Sequence, residues 1–256
     1  MPERPGATEG TRQQVERLHL TRSTWIGVLA AAGVAWCVAL LLWAQHGTDE
    51  ALALWSAGLE PRSLLIGLAS TASSYGKPVM GVILLLGLVV SVVGESSRHL
   101  RTVYLLTLMS LALSGMAGDL VKEIVERPRP AIAYPDLSFA AGESKTWSFP
   151  SGHSTKAVAL ALPFLLFVTG WRGWRGLVKG ALAGLALAVC ASRVVQGAHF
   201  LSDVTGGLAM ALSGLPLAVW ASNAILGIMS AADLDRAGRI WIGVYAVLIF
   251  ILVKLS

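Results

Sequence analysis

Three short polar runs, each at the edge of an apolar stretch, hold most of the side chains in this sequence that could handle an anion. The first is Lys122 to Pro130, KEIVERPRP. Pro128 and Pro130 stop a helix and hold the chain around Arg129 extended. A Lys and an Arg are thereby brought together on a rigid turn, the Arg with a planar fork that suits phosphate oxygens and the Lys with a compact charge. A span end whose basic side chains reach back to water would carry the same residues. The second run, Phe149 to Ser154, places Pro150, Ser151, Gly152 and His153 just before an apolar segment. A Ser cap followed by Gly leaves backbone N–H groups and the positive end of a helix dipole free to face an anion, with His153 beside it. A plain N-cap with an interfacial His is the competing reading. The third run contains Ser192, Arg193, His199 and Asp203. If helical, it sets His199 and Asp203 on one face, where the carboxylate accepts the imidazole N–H. The other ring nitrogen is then left unprotonated, as a nucleophile or base requires.

The elements that must position these residues are membrane spans. Hydrophobic residues make up 55% of the 256 and charged residues only 14%, too much apolar surface for a water-soluble domain to hide. Seven apolar stretches are long enough or nearly so: Trp25 to Trp43, Pro78 to Val93, Val103 to Leu120, Thr155 to Trp171, Leu177 to Ala191, Val204 to Ile228 and Ile240 to Val253. The first exceeds a signal h-region and lacks a small-x-small cleavage site, so it reads as an uncleaved span. The fold expected is all-α, a polytopic helical bundle with a six-span core and a seventh, C-terminal span. Residues 1–23 read as a cytoplasmic tail, 24–228 as the membrane domain, and 229–256 as a cytoplasmic loop and the additional span. The patches Ala51 to Leu59 and Leu64 to Ala69 are too short to cross and are expected to lie in the interface.

Loop charges set the orientation. With the Arg-rich tail inside, Arg98, Arg101, Arg172, Arg175, Lys179, Arg236 and Arg239 are inside as well. The three polar runs then share the outer side, where Lys122, Arg127, Arg129 and Lys145 contradict a pure anchoring role. The net charge of +5 is scattered over span ends, so nucleic acid is not an expected partner. Cys37 and Cys190 sit in the middle of apolar runs, which indicates neither a disulfide framework nor a zinc site.

Taken together the runs supply Arg, Lys and His side chains, a Ser and an Asp, an inventory suited to phosphoryl transfer through a histidine and short of the carboxylates a Mg²⁺ site needs. Lys122 through Pro130, Pro150 through His153 and Ser192 through Asp203 resemble, in order and spacing, the three signature motifs of the type 2 phosphatidic acid phosphatase superfamily. The likeness extends over roughly Ala51 to Ala211. It implies a metal-independent membrane lipid phosphatase with no cofactor. In it His199 is the nucleophile oriented by Asp203, and His153 is the acid for the leaving oxygen. Lys122, Arg129, Arg193, Ser151 and the Gly152 backbone bind phosphate.

The motif matches Arg129, so Arg127 is expected in a structural or headgroup-binding role, and the seventh span departs from the usual six. Place suggests the substrate: a lipid phosphate or pyrophosphate such as phosphatidic acid, phosphatidylglycerol phosphate, an isoprenyl (undecaprenyl) pyrophosphate or lipid A, met at the outer face of a bacterial inner membrane. A phosphotransferase with the same intermediate, a vanadate haloperoxidase and a non-catalytic lipid-binding or transport protein are the alternatives. The predicted spans speak against the haloperoxidase, a soluble protein, and oligomeric state is not legible.

Overall fold

The structure is a computed structural model of the chain and describes residues 17–93, 98–142, 146–170 and 172–254. Most of the N-terminal tail, Lys145 and Trp171 lie outside the described residues. The chain runs through α1 (Arg22–Gln45), α2 (Gly47–Ala57), α3 (Leu64–Val93), α4 (Arg98–Val125), α5 (Pro130–Ala133), α6 (Gly152–Phe167), α7 (Trp174–Val195), α8 (Leu201–Ile228) and α9 (Ala231–Lys254). No strand occurs among the described residues, and this is an all-helical integral membrane protein.

Five stretches, Arg22–Gln45, Leu64–Val93, Arg98–Ala133, Trp174–Val195 and Leu201–Ile228, are long and apolar enough to cross a bilayer, a thickness that takes about 20 helical residues. α6 is apolar but shorter, at 16 residues. The stretch expected as the last span, residues 240–253, lies within α9. Side chains such as Ile26, Leu29, Val34 and Leu41 on α1 are more than half exposed. In water that surface would be a liability; against acyl chains it is the solvated face.

One sequence expectation is corrected. Leu64 to Ala69 is not a separate short element: it forms the first turns of α3, which continues unbroken through Pro78 for 30 residues. The polar stretch between that patch and Pro78, Ser70 to Lys77, is helical and turns Ser73 and Lys77 inward, while Leu64 and Leu68 are exposed. Proline inside such a helix is tolerated because neighbouring helices and local adjustment satisfy the freed carbonyl. The other patch, Ala51 to Leu59, begins within α2.

The core is built where α1 packs on α8, α4 on α6 and α8, α3 on α7, and α6 on α7 and α8. α9 lies against α3 and α4. Two contacts fix it there: the Tyr245 hydroxyl donates to the Tyr104 carbonyl at 3.0 Å, and Arg98 and Arg101 both pair with Asp235. Tyr104 sits edge-on to Phe164 and Tyr245, with centroids 5.1 and 5.6 Å apart, a geometry that adds roughly 0.5–1.5 kcal/mol per pair to the burial itself. Because the long helices alternate in direction, the C-terminal ends of α4 and α7 and the N-terminal ends of α6 and α8 share one end of the bundle. All three polar runs are found there.

Candidate active site

The first run leaves α4 through Glu126, whose backbone is left-handed at φ 48°, and becomes extended at Arg129 before Pro130 opens α5. This turn sends Arg127 and Arg129 in different directions. Arg127 is buried and bonds Asp203 Oδ1 at 2.6 Å, Asp49 Oδ2 at 2.9 Å and the Ser202 hydroxyl at 2.5 Å. Its guanidinium also lies over the Phe200 and Trp43 rings, 4.3 and 4.9 Å from their centroids. Two buried carboxylates are thus neutralised by one cation, and a buried pair that loses a partner costs roughly 3–5 kcal/mol. Arg127 therefore holds α2 and the start of α8 together. Arg129 fastens the loops instead: it donates to the Thr146 carbonyl (2.8 Å), the Thr146 hydroxyl (2.8 Å) and the Ala198 carbonyl (3.1 Å).

His199 is placed by the end of α7. Gly197 adopts φ 66°, its N–H bonds the Val194 carbonyl, and the Ala198 N–H bonds the Arg193 carbonyl. This is the paired hydrogen-bond pattern that closes a helix on a left-handed glycine. A Cβ at Gly197 would fall 2.1 Å from the Phe139 ring, so the position has neither the conformation nor the room for a side chain. The sequence expectation that His199 and Asp203 share a helical face is revised. His199 precedes α8, and Asp203 sits in the first turn of α8, where its Oδ2 accepts the Phe200 N–H at 2.9 Å. The two side chains still meet, through a capping geometry.

Asp203 reaches the imidazole by two routes. His199 Nδ1 is 3.5 Å from Asp203 Oδ2 and 3.3 Å from Ser148 Oγ, and Ser148 Oγ donates to the same carboxylate oxygen at 2.5 Å. The hydroxyl's one hydrogen is committed to Asp203, so toward Nδ1 it acts as an acceptor. Both neighbours of Nδ1 accept, which assigns the ring hydrogen to Nδ1 and leaves Nε2 with a lone pair. Complete burial pushes the His199 pKa down to about 4, against the opposing pull of Asp203, and Arg129 adds to the depression. The ring is neutral at ordinary pH.

α6 begins at this spot with Ser151 as N-cap, its Oγ accepting from the Ser154 N–H and hydroxyl at 3.5 and 3.1 Å. The Ser151 N–H bonds the Asp203 carbonyl at 2.9 Å, tying the second run to the third. Gly207 makes this approach possible, since a Cβ there would come within 2.7 Å of the Ser151 carbonyl oxygen.

The three runs open on one cavity of about 580 Å³. Lys122, Arg129, Arg193, Gly152, His153 and His199 all line it, as the sequence reading grouped them. Ser151 and Asp203 do not: the first is fully buried as a cap, the second stands behind His199. The Lys122 ammonium donates to the Trp147 carbonyl at 3.3 Å. Arg193 is held by Ser73 and by Gln196, the latter at 2.9 Å. His153 Nε2 and Arg193 Nε are buried without a hydrogen-bond partner. Buried polar atoms are almost always paired, and both of these residues line the cavity.

Two cations on the same wall were not picked out from sequence, Lys77 of α3 and Lys156 of α6. Both lie inside apolar helices, and an ionisable residue at such a place is itself a signal. Asp49, Ser148, Ser73 and Gln196 were also missed as supports; ordinary polar residues in loops and helix starts carry no such mark. Among the described residues, none of Lys77, Lys122, Arg129, Lys156 and Arg193 has an ion-pair partner. One carboxylate, the exposed Asp119, shares the cavity. The site is an uncompensated positive pocket with two histidines in its wall.

Comparison with known proteins adds the following. The sequence model of the PAP2 superfamily matches residues 103–226. A lipid A 1-phosphatase of Rhizobium johnstonii is 36% identical over 104 residues, covering 39% of this chain and 40% of the relative. Phosphatidylglycerophosphatase B of Bacillus subtilis is 32% identical over 113 residues, covering 41% and 51%. The chain thus spans about half the length of the curated relatives it matches, or less. The crystal structure of the transmembrane PAP2-type phosphatidylglycerolphosphate phosphatase from Bacillus subtilis superposes with a TM-score of 0.53 at 23% identity, over 76% of this chain and 93% of that one. At that identity the likeness concerns the fold.

Proposed function

We propose, from the match of residues 103–226 to the sequence model of the PAP2 superfamily, that this chain is a metal-independent lipid phosphatase working through a phosphohistidine at His199. The observation that carries the reading is the cavity itself. Its cations lack carboxylate partners among the described residues, and a neutral imidazole with its Nδ1 hydrogen fixed lies in the same wall. Curated relatives 36% and 32% identical to this chain over 104 and 113 residues bear the names of lipid phosphatases.

In the proposed reaction His199 Nε2 attacks phosphorus and the bond from phosphorus to the lipid oxygen breaks. The electron pair stays on that oxygen, and a proton from His153 neutralises it as the dephosphorylated lipid departs. Water then attacks the phosphohistidine and gives His153 its proton. Inorganic phosphate leaves and His199 is restored. Arg129, Lys122, Arg193 and the Gly152 N–H bind the phosphate and stabilise charge on its equatorial oxygens. Ser151 contributes by fixing the start of α6, and Asp203 by holding the imidazole. Phosphatidic acid, phosphatidylglycerol phosphate, isoprenyl pyrophosphates and lipid A are the candidate substrates, met at the outer face of a bacterial inner membrane.

The test is phosphate release by purified protein in detergent. His199→Ala abolishes turnover, a loss of about 10⁴-fold or more for a nucleophile, while the variant still inserts and elutes as the wild type does. Vanadate inhibits and EDTA does not. Residual turnover above a tenth of wild type in His199→Ala, or loss of activity on chelation, overturns the scheme.

A further inference from the structure

The phosphate of a simple lipid monoester needs fewer cations than this cavity provides. Lys122, Arg129 and Arg193 come from the three polar runs at the mouth of the bundle. Lys77 and Lys156 do not. Lys77 lies one turn further along α3 than Ser73, the partner of Arg193, and Lys156 lies one turn further along α6 than His153. Both helices run from the site end into the membrane, so the two lysines are about 4.5–6 Å deeper than the groups they follow.

Neither is an anchor reaching for water. Lys77 is 3% exposed and Lys156 is half-buried in the cavity wall, and no hydrogen bond or ion pair holds either ammonium group among the described residues. The charged groups that act most on Lys77 are Lys156 and Arg193, both of like sign. Gly115 leaves room for the Lys156 stem, whose Cε lies 3.8 Å from where a Cβ would stand. An unpaired buried ammonium is expensive and persists where a ligand supplies the counter-charge. Leu111, Leu248 and Ile251 line the same cavity, providing apolar contact for a chain.

We propose that Lys77 and Lys156 form a second anion subsite, on the lipid side of the reacting phosphate, that takes a second phosphate of the substrate. This deepens the phosphatase reading and rests on it. Two headgroup chemistries put a phosphate there: a lipid diphosphate, in which it is part of the leaving group, and a lipid whose terminal phosphomonoester is separated by glycerol from a phosphodiester. In either case the covalent step is the one given above. His199 bonds the terminal phosphorus, its bond to the lipid-side oxygen breaks, and the inner phosphate departs with the lipid.

The experiment compares matched pairs: farnesyl diphosphate with farnesyl monophosphate, and phosphatidylglycerol phosphate with phosphatidic acid. Wild type prefers the two-phosphate member of at least one pair. Lys77→Met and Lys156→Met each lower kcat/KM for that member about 10- to 100-fold, the loss that accompanies one charge-assisted hydrogen bond, and change the one-phosphate member less than about 3-fold, which also shows the variants are folded. Which pair responds identifies the headgroup. As a measurement independent of the variants, inorganic pyrophosphate inhibits wild type at least about 10-fold more tightly than inorganic phosphate. Equal losses on both members, or hydrolysis of monophosphates with no advantage for either two-phosphate lipid, overturn the subsite and leave the phosphatase reading standing. No phosphate release from any of the four lipids overturns both.

Discussion

At the scale of single residues, the site separates cations that serve the fold from cations left for a ligand. Arg127 and Arg129 are two positions apart, yet Arg127 is spent on Asp49 and Asp203, while Arg129 bonds only carbonyls and a hydroxyl and keeps its charge uncompensated. The imidazole shows the same division: Asp203 also pairs with Arg127 and accepts from Ser148, and its pull toward a second proton on His199 does not outweigh burial. In the proposed reaction the neutral ring is the nucleophile, so activity is expected to fall as pH drops through its pKa. With that pKa near 4, the acid limb of kcat/KM, corrected for the substrate's own ionisation at about pH 6, lies well below the ordinary imidazole value of about 6.5. Ser148→Ala frees one oxygen of Asp203 to bind the imidazolium directly. It raises the limb by about one unit and lowers kcat about 10-fold through a less fixed ring. A pH profile unchanged in Ser148→Ala removes the hydroxyl from this role.

At the scale of elements, chemistry is delivered by helix ends rather than by helix faces. Capping decides where His199, His153 and Arg129 point: a left-handed glycine closes α7, a buried serine opens α6, and a proline opens α5. Gly197→Ala tests this. The added methyl meets the Phe139 ring and the residue must hold φ 66°, a strain of roughly 1–2 kcal/mol. The expected result is a lower melting temperature in detergent and a fall in kcat of about 100-fold from a displaced His199; wild-type kcat would show that the turn does not position the nucleophile. Much of this was legible in the sequence, because Pro, Gly and Ser mark helix ends by mechanisms that act locally. Lys77, Lys156 and Asp49 were not legible as part of the site, since their meaning depends on which helices pack together. The reading of Leu64 to Ala69 as an element apart from the span at Pro78 changed for a related reason. The polar run Ser70 to Lys77 between them hides the continuity of α3 until the helices it faces are known.

At the scale of the whole molecule, the two ends of the bundle use charge differently. The end opposite the cavity carries Arg98, Arg101, Arg172, Arg175, Arg236 and Arg239, several of them exposed or paired with Asp235 and Asp233. Those are the short loops whose basic residues bias insertion toward the cytoplasm. The cavity end is also basic, but its cations are drawn into the pocket or into Arg127's buried pairs, so they are not free to act as anchors in the same way. The two sets compete for orientation, and in the orientation we propose the loop set prevails, because apart from the buried Arg101 its charges lie exposed at span ends. The cavity would then face away from the cytoplasm. A cysteine at exposed Ser138 reports on that face and one at exposed Arg172 on the other. A membrane-impermeant maleimide added to intact cells labels Ser138→Cys at once and Arg172→Cys only after permeabilisation, with Cys37 and Cys190 replaced by serine beforehand to remove background. The reverse pattern would put the cavity on the cytoplasmic side, and a lipid phosphate would then have to reach it from the inner leaflet.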